Sequence, residues 1–477
     1  MAPTTAEVLP RLRAGALARG TAAQLRLLAV AVAVLVVALV TVLTVEVRQE
    51  QRGLQLIGRQ TAPEVVATSD LYFALNDMDA QLANVLLVGD ETTLGFTRAQ
   101  ALDLYQQRRQ QVSRDLQQAA AAAADPVTAQ SVRDILDALG RYEALAAQTI
   151  LLDQQTAHAA GQPPAAALDR YRQATDLLAT VLLPAARGLT DHHADTLEQT
   201  YEDERGRVLT VRAWLIALAV LLVAALAVLQ IHLARRFRRM LNIPLAIATV
   251  VAVTLGGAAV ALTTSVAEHL RGAKKDAFDS ILVLNRARAV SYDANADESR
   301  YLVDPDRAAQ YEQAFLAKTQ QLVTLDGATL TTFDARLDDA LQAYRRDQRA
   351  VGWQGHLGAE FRNITFDGER PAAETALTRF QTYQLDDRRI RRLVQDGKRQ
   401  QAIAFCTSYA PGDSNYAFDQ YDKALVAVID INQHAFDGSI QAGERELSRW
   451  PFVPAAAGAV ILTLLLLGLR RRLAEYR

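Results

Sequence analysis

The chain has 477 residues, half of them hydrophobic, and a formal net charge of −2. So balanced a charge offers no basic field for nucleic acid, and the single cysteine, Cys406, excludes an intrachain disulfide and any cysteine-type metal spacing. Ala, Leu, Gln, Arg and Glu are abundant and no sustained period-2 run of β-branched residues occurs, so the expected fold class is all-α.

In chain order, residues 1–26 form a basic tail with Arg11, Arg13, Arg19 and Arg26. Residues 27–46 follow as a first transmembrane helix, long enough at 1.5 Å per residue to cross a ~30 Å hydrocarbon core. The apolar run exceeds that of a signal peptide and no A-x-A site precedes Glu46, so the span is expected to be retained. Residues 47–208 read as an antiparallel four-helix bundle with helices near 47–88, 94–124, 127–158 and 164–208. Breaks fall at Gly89-Asp90, at Asp125-Pro126, where Asp125 is an N-cap and Pro126 a first helical residue, and at Gly161-Gln162-Pro163-Pro164. Leu71, Leu75, Met78, Leu82, Val85 and Leu86 recur at helical spacing and predict the core stripe.

Residues 209–234 are a second transmembrane helix, 235–242 an Arg-rich loop and 243–266 a third transmembrane helix. In that third span Ala252, Gly256, Gly257 and Ala261 have the small-residue spacing that permits close helix contact. Residues 267–450 read as a second helical bundle, with helices near 268–303, 306–323, 332–351, 371–396, 398–407 and 416–449. Its additions are an irregular, glycine-rich stretch at 352–370 and a loop at 408–415. Residues 451–469 make the fourth transmembrane helix, and 470–477 a tail with Arg470, Arg471, Arg472 and Arg477.

The two tails and the loop 235–242 hold twelve arginines against two acids, Glu7 and Glu475, and short basic segments stay in the cytoplasm. Both long connections, which are net acidic, are then expected outside the plasma membrane, with both termini cytoplasmic. The third span starts about 216 residues after the first (Ile243 against Leu27), and nearly the same offset, 215, sets Leu87-Val88-Gly89-Asp90 opposite Leu302-Val303-Asp304-Pro305. The chain is therefore expected to be a tandem repeat: four transmembrane helices and two extracytoplasmic bundles.

No phosphate loop, G-x-G-x-x-G, H-E-x-x-H or G-x-S-x-G occurs, and the inner segments are too short for a kinase or cyclase domain. Neither enzyme activity nor a cofactor is expected. The spans centre on the stretches Leu27–Val45, Ala213–Ala234, Met240–Ala267 and Trp450–Leu469, which carry no charge, and that argues against an ion-coupled transporter. His192 and His193 beside Asp191, Asp195 and Glu198 read as polar surface rather than a metal site. Asn363-Ile364-Thr365 matches a glycosylation sequon.

Three polar clusters remain. In residues 292–301 the candidates for binding a partner or ligand are Asp293, Asn295, Asp297, Arg300 and Tyr301, with Asp293 and Asp297 on one helix face. Asp386-Asp387-Arg388-Arg389-Ile390-Arg391-Arg392 is a charged surface able to dock an acidic partner or lipid headgroups, and residues 406–418 combine a Pro411-Gly412-Asp413 turn with the cap of a long helix. For an inner contact the candidates are Arg235, Arg236, Arg238 and Arg239.

Residues 288–305 and 402–418, and Asp430-Ile431-Asn432-Gln433-His434-Ala435-Phe436-Asp437, resemble the actinobacterial GlnX-type membrane proteins, as does the plan of four spans and two outer bundles. The first bundle is similar, more loosely, to the four-helix sensor domains of bacterial chemoreceptors. The resemblance implies a relay linking an extracytoplasmic amino-acid-binding lipoprotein to a cytoplasmic Ser/Thr protein kinase pathway. Two other readings stay open: a direct small-molecule sensor, and a structural scaffold of the cell envelope.

Overall fold

The computed structural model describes residues 21–92, 94–123, 125–237 and 242–473, and among these it contains no strand. Its helices are α1 (Thr21–Leu56), α2 (Ala62–Val88), α3 (Arg98–Ala122), α4 (Pro126–Gln154), α5 (Ala165–Leu177), α6 (Leu183–Phe237), α7 (Ile243–Arg271) and α8 (Asp279–Val303). They continue with α9 (Ala308–Leu322), α10 (Phe333–Arg346), α11 (Gly355–Asn363), α12 (Glu369–Gln395), α13 (Arg399–Thr407), α14 (Ser414–Ser448) and α15 (Val453–Leu473). Single π-helical turns at Ile57–Thr61, Leu178–Leu182 and Gly272–Phe278 join α1 to α2, α5 to α6 and α7 to α8 without interrupting the helix.

The chain divides into two compact units. One comprises Met1–Gln55, Glu202–Leu270 and Gln441–Arg477. Here Val32, Val36, Leu39 and Leu43 of α1 turn inward, while Val30, Val34 and Val37 of the same helix stay exposed, as do Val220 and Leu221 of α6 and Leu466 of α15. An apolar surface that wide is expected of helices surrounded by lipid, not water. Four helical runs, Ala23–Val88, Ala165–Arg235, Ile243–Val303 and Ser414–Arg470, are each long and apolar enough to cross a membrane. Small residues set the closest approaches: a Cβ on Gly256 would lie 2.9 Å from that of Ala219, and one on Gly458 2.6 Å from Val40. In the fourth run a short break after Ser448, at Trp450-Pro451, separates α14 from α15; Pro451 supplies no backbone N–H to continue the ladder.

The other unit comprises Leu56–Tyr201 and Arg271–Ile440. The segments expected as two bundles share one core here. Leu71, Leu82 and Leu86 of α2, Tyr142 of α4 and Tyr171 of α5 belong to the same buried cluster as Leu302 of α8, Ile390 of α12 and Cys406 of α13. The reason lies in α2 and α8. Residues 73–88 of α2 are buried on every face, as are residues 296–303 of α8. A helix enclosed all round cannot be the outer rod of a small bundle; it needs neighbours on both sides, and α2 finds them in α3 and α8. A second buried cluster lies wholly within the later segment, around Phe315, Trp353, Phe361, Phe380 and Tyr421.

The expected helix stops hold. Asp125 accepts hydrogen bonds from the backbone N–H groups of Val127 and Thr128, both at 2.9 Å, and α2 ends at Gly89, whose φ of +58° suits glycine. One expectation is corrected. The stretch 352–370 is not irregular: α11 occupies Gly355–Asn363, and Trp353, Leu357 and Phe361 are buried core. Leu357 and Phe361, four residues apart, share one face of α11, and Trp353 packs from just before the helix, a signal masked by the surrounding glycines.

Candidate functional site: a charged seam between two segments

Within this polar unit α2 and α8 meet along polar side chains. Asp79 of α2 is fully buried and accepts four hydrogen bonds: from the Tyr142 hydroxyl at 3.0 Å, the Tyr171 hydroxyl at 3.3 Å, Thr175 Oγ1 at 2.9 Å and Arg300 Nη2 at 2.7 Å. Arg300 of α8 reaches onward, its Nη1 donating to Asp297 Oδ1 at 2.6 Å and Asp293 Oδ1 at 3.2 Å. Lys318 of α9 closes the chain, with Nζ 2.6 Å from Asp297 and 2.8 Å from Asp293. Three carboxylates thus face two cations. Beside them Ser299 Oγ donates to Asn84 Oδ1 at 2.8 Å, a second polar tie from α8 to α2.

Burial and charge oppose each other here. Burial pushes the Asp293 carboxyl up, but Lys318 and Arg300 together hold it below its ordinary value. At Asp297 burial wins over the same two cations and the pKa is raised. Burial disfavours the Arg300 cation, yet Asp79 and its neighbours hold it firmly protonated. So many buried groups form a site only because nearly all are paired; Arg300 Nε is left without a hydrogen-bond partner.

Further ion pairs tie the two segments. Arg172 of α5 spans Asp304 and Asp306 at 2.9 and 3.0 Å, and Arg307 reaches Asp176 at 2.9 Å. Arg286 of α8 meets Asp191 of α6 at 2.5 Å, and Lys274 meets Glu198 at 2.7 Å. A cavity of about 550 Å³ opens onto the seam, with Asp293, Asp297, Arg300 and Lys318 in its wall. A second, of about 560 Å³, shares Tyr72, Arg187 and Asp191 with it.

Of the residues singled out by sequence, Asp293, Asp297 and Arg300 come together. Asn295 and Tyr301 do not join them. Asn295 Nδ2 donates to Glu298 at 3.4 Å, and the Tyr301 ring packs under the Arg391 guanidinium at 4.8 Å. Both belong to a neighbouring buried cluster in which Arg391 pairs with Asp387 at 2.9 and 2.7 Å, and burial raises Glu298 well above the carboxylate range. The motif 386–392 is therefore partly interior: Asp387 and Arg391 are buried, whereas Arg392 is exposed. Arg235 is exposed; Arg238 and Arg239, and the side chain of Arg236, lie outside the described residues. His192 and His193 lie 3.8 Å from Asp125 and 3.5 Å from Glu64. Asn363 is engaged, its Nδ2 donating to the carbonyls of Lys275 and Asp276 and to Ser280 Oγ at 3.0–3.2 Å. Cys406 is buried in the shared core.

Sequence reasoning missed Asp79, Tyr142, Tyr171, Thr175 and Lys318. The available signal was Asn76-Asp77-Met78-Asp79, polar residues interrupting a stripe otherwise read as core.

Residues 53–202 match the family model described as an actinobacterial sensor domain. No curated protein and no solved structure matches the chain. The matched segment contains Asp79, Tyr142, Tyr171 and Thr175, one side of the seam; Arg300, Asp293, Asp297 and Lys318 lie beyond it. A sensor-domain match in a helical chain with four membrane-length helices points to signalling.

Proposed function

We propose that the chain is a non-enzymatic transmembrane signal relay of the plasma membrane. Its termini and the loop bearing Arg235, Arg236, Arg238 and Arg239 lie in the cytoplasm, and its polar unit lies outside. The observation that carries this reading is the Asp79–Arg300 pair. Its two members sit on the helical runs Ala23–Val88 and Ile243–Val303, each of which also contains a membrane-length apolar stretch. A partner or ligand that favours one packing of α2 against α8 shifts the population of both runs, and shifts of 1–2 Å along such helices are an established form of switching.

On the inputs and outputs, the resemblance supports an extracytoplasmic solute-binding lipoprotein that presents an amino acid, and a protein of a Ser/Thr kinase pathway inside. Photo-crosslinking in cells tests this, with the probe placed at exposed positions of the polar unit and at Arg235. The expected result is recovery of a solute-binding lipoprotein from the first set and a kinase-pathway protein from Arg235. Recovery of only cell-wall or division proteins from both would overturn the relay in favour of a scaffold. A second reading, direct sensing of a small molecule, is favoured by the two cavities, each within the 300–1,000 Å³ of typical ligand sites.

A further inference from the structure

The cavity of about 560 Å³ differs in chemistry from the seam beside it. Two guanidiniums, Arg187 of α6 and Arg286 of α8, stand in its wall against one carboxylate, Asp191. Arg286 gives one N–H to Asp191 at 2.5 Å. Arg187 pairs with no carboxylate among the described residues; its Nη2 donates to the Tyr72 hydroxyl at 3.0 Å, and its guanidinium lies 5.4 Å from the Tyr72 ring centre. A guanidinium has five N–H donors, so both arginines keep donors to spare. His356 reports the resulting field. Burial, with Arg286 and Arg187 next in effect, lowers its pKa to about 4, so it is neutral at pH 7 and adds no charge. The wall therefore carries one net positive charge. The buried part of the wall is mixed: Ala289 and Val290 of α8 lie with Asn285 and with Ser69 and Thr190, whose hydroxyls already donate to the carbonyls of Val65 and Ala186.

We propose that this cavity binds a small organic monocarboxylate, its carboxylate held by Arg187 and Arg286 and its apolar body against Ala289 and Val290. The net charge selects a monoanion: a dianion would leave one negative charge uncompensated, and a neutral molecule would leave the wall's one positive charge unanswered. Ala289 and Val290 offer an apolar contact to a body beyond the anionic group. The walls come from both segments joined at the seam, so such a ligand bridges α6 and α8. This inference rests on the polar unit being the input side of the relay and supplies that side with a ligand class.

The test is calorimetry on the full chain in lipid nanodiscs at pH 7, with benzoate as probe, benzamide as its neutral counterpart, inorganic phosphate as a bare anion, and empty nanodiscs subtracted. Benzoate is expected to bind saturably at one site per chain, with benzamide and phosphate giving no saturable heat. Arg187→Gln should weaken benzoate by about tenfold or more, the loss of one charge-assisted pair. Arg286→Gln also unpairs Asp191, so Arg187→Gln, which breaks only the Tyr72 contact, carries the decision. The His356 ring resonance supplies a readout independent of heat: its titration should move to higher pH with benzoate bound, because the anion offsets the arginine field. The proposal is overturned if benzoate gives no saturable binding, if Arg187→Gln binds it as tightly as the original chain, or if benzamide or phosphate binds equally well. Any of those outcomes leaves the crosslinking test of the relay standing.

Discussion

Among single residues, Arg300 holds the most charge in balance. It is 5 % exposed and touches Asp79, Asp293 and Asp297. A buried ion pair contributes little net stability compared with an apolar pair, but removing one partner strands the others. Arg300→Met should therefore destabilise the protein by about 3–5 kcal/mol, read as a lowered melting temperature, with far less than additive loss when Asp79→Asn is combined with it. An Arg300→Met chain that melts with the original would mean that the seam is not closed in solution. Glu360 of α11 gives a prediction in pH. It is 1 % exposed, and burial followed by the neighbouring Glu369 raises its pKa from 4.5 to about 8. Between those values the unfolded chain has lost the proton and the folded chain keeps it. Stability is fully present below pH 4.5 and falls as pH rises towards 8, at up to about 1.4 kcal/mol per pH unit. Glu360→Gln should flatten that slope in melting temperatures taken from pH 5 to 8; parallel slopes in the two proteins would show that Glu360 is ionised throughout.

At the scale of elements, α11 shows where composition misleads. Glycines at 352, 355 and 358 read as loop, yet Gly355 merely opens the helix at φ +81°. Trp353 and Phe361 then pack with rings 5.1 Å apart, and Tyr344 lies 5.6 Å from Trp353. Trp353→Ala should cost about 3–5 kcal/mol, against little change for a substitution at exposed Gly352. A melting curve unmoved by Trp353→Ala would return this stretch to the status of an insertion. The turns tell the opposite story: Asp125 before Pro126 and glycine at 89 were legible because capping and positive φ are local chemistry. Of the site, the Asp293–Asp297–Arg300 face was legible from helical spacing. Asp79 was not, because its partners lie 63 to 221 residues away in sequence. Nor does spacing distinguish Asn295 and Tyr301 from their neighbours, although they turn to another cluster. The π-helical turns Ile57–Thr61 and Gly272–Phe278 begin 215 residues apart, as do the helix ends at Val88 and Val303. At the first of these turns a Cβ on Gly58 would lie 2.7 Å from Ile440 Cγ2, so α14 packs closely against the turn.

For the whole molecule, the periodicity read along each connection predicted its helices but not that the two connections would share a core. The hint was the unbroken apolar run Val85–Val88, which leaves no polar face for the outer rod of a small bundle. The shared core makes the seam an internal joint of one unit, and a signal relay needs that unit and the arginine loop on opposite faces of the membrane. Cysteine labelling in intact cells tests this most directly. Gly140→Cys, Arg346→Cys and Arg235→Cys each place a thiol at an exposed position, and Cys406 is buried, so it need not be removed. A membrane-impermeant maleimide should label positions 140 and 346 in intact cells and position 235 only after permeabilisation. Labelling of 235 from outside, or of 140 or 346 only after permeabilisation, would contradict the relay.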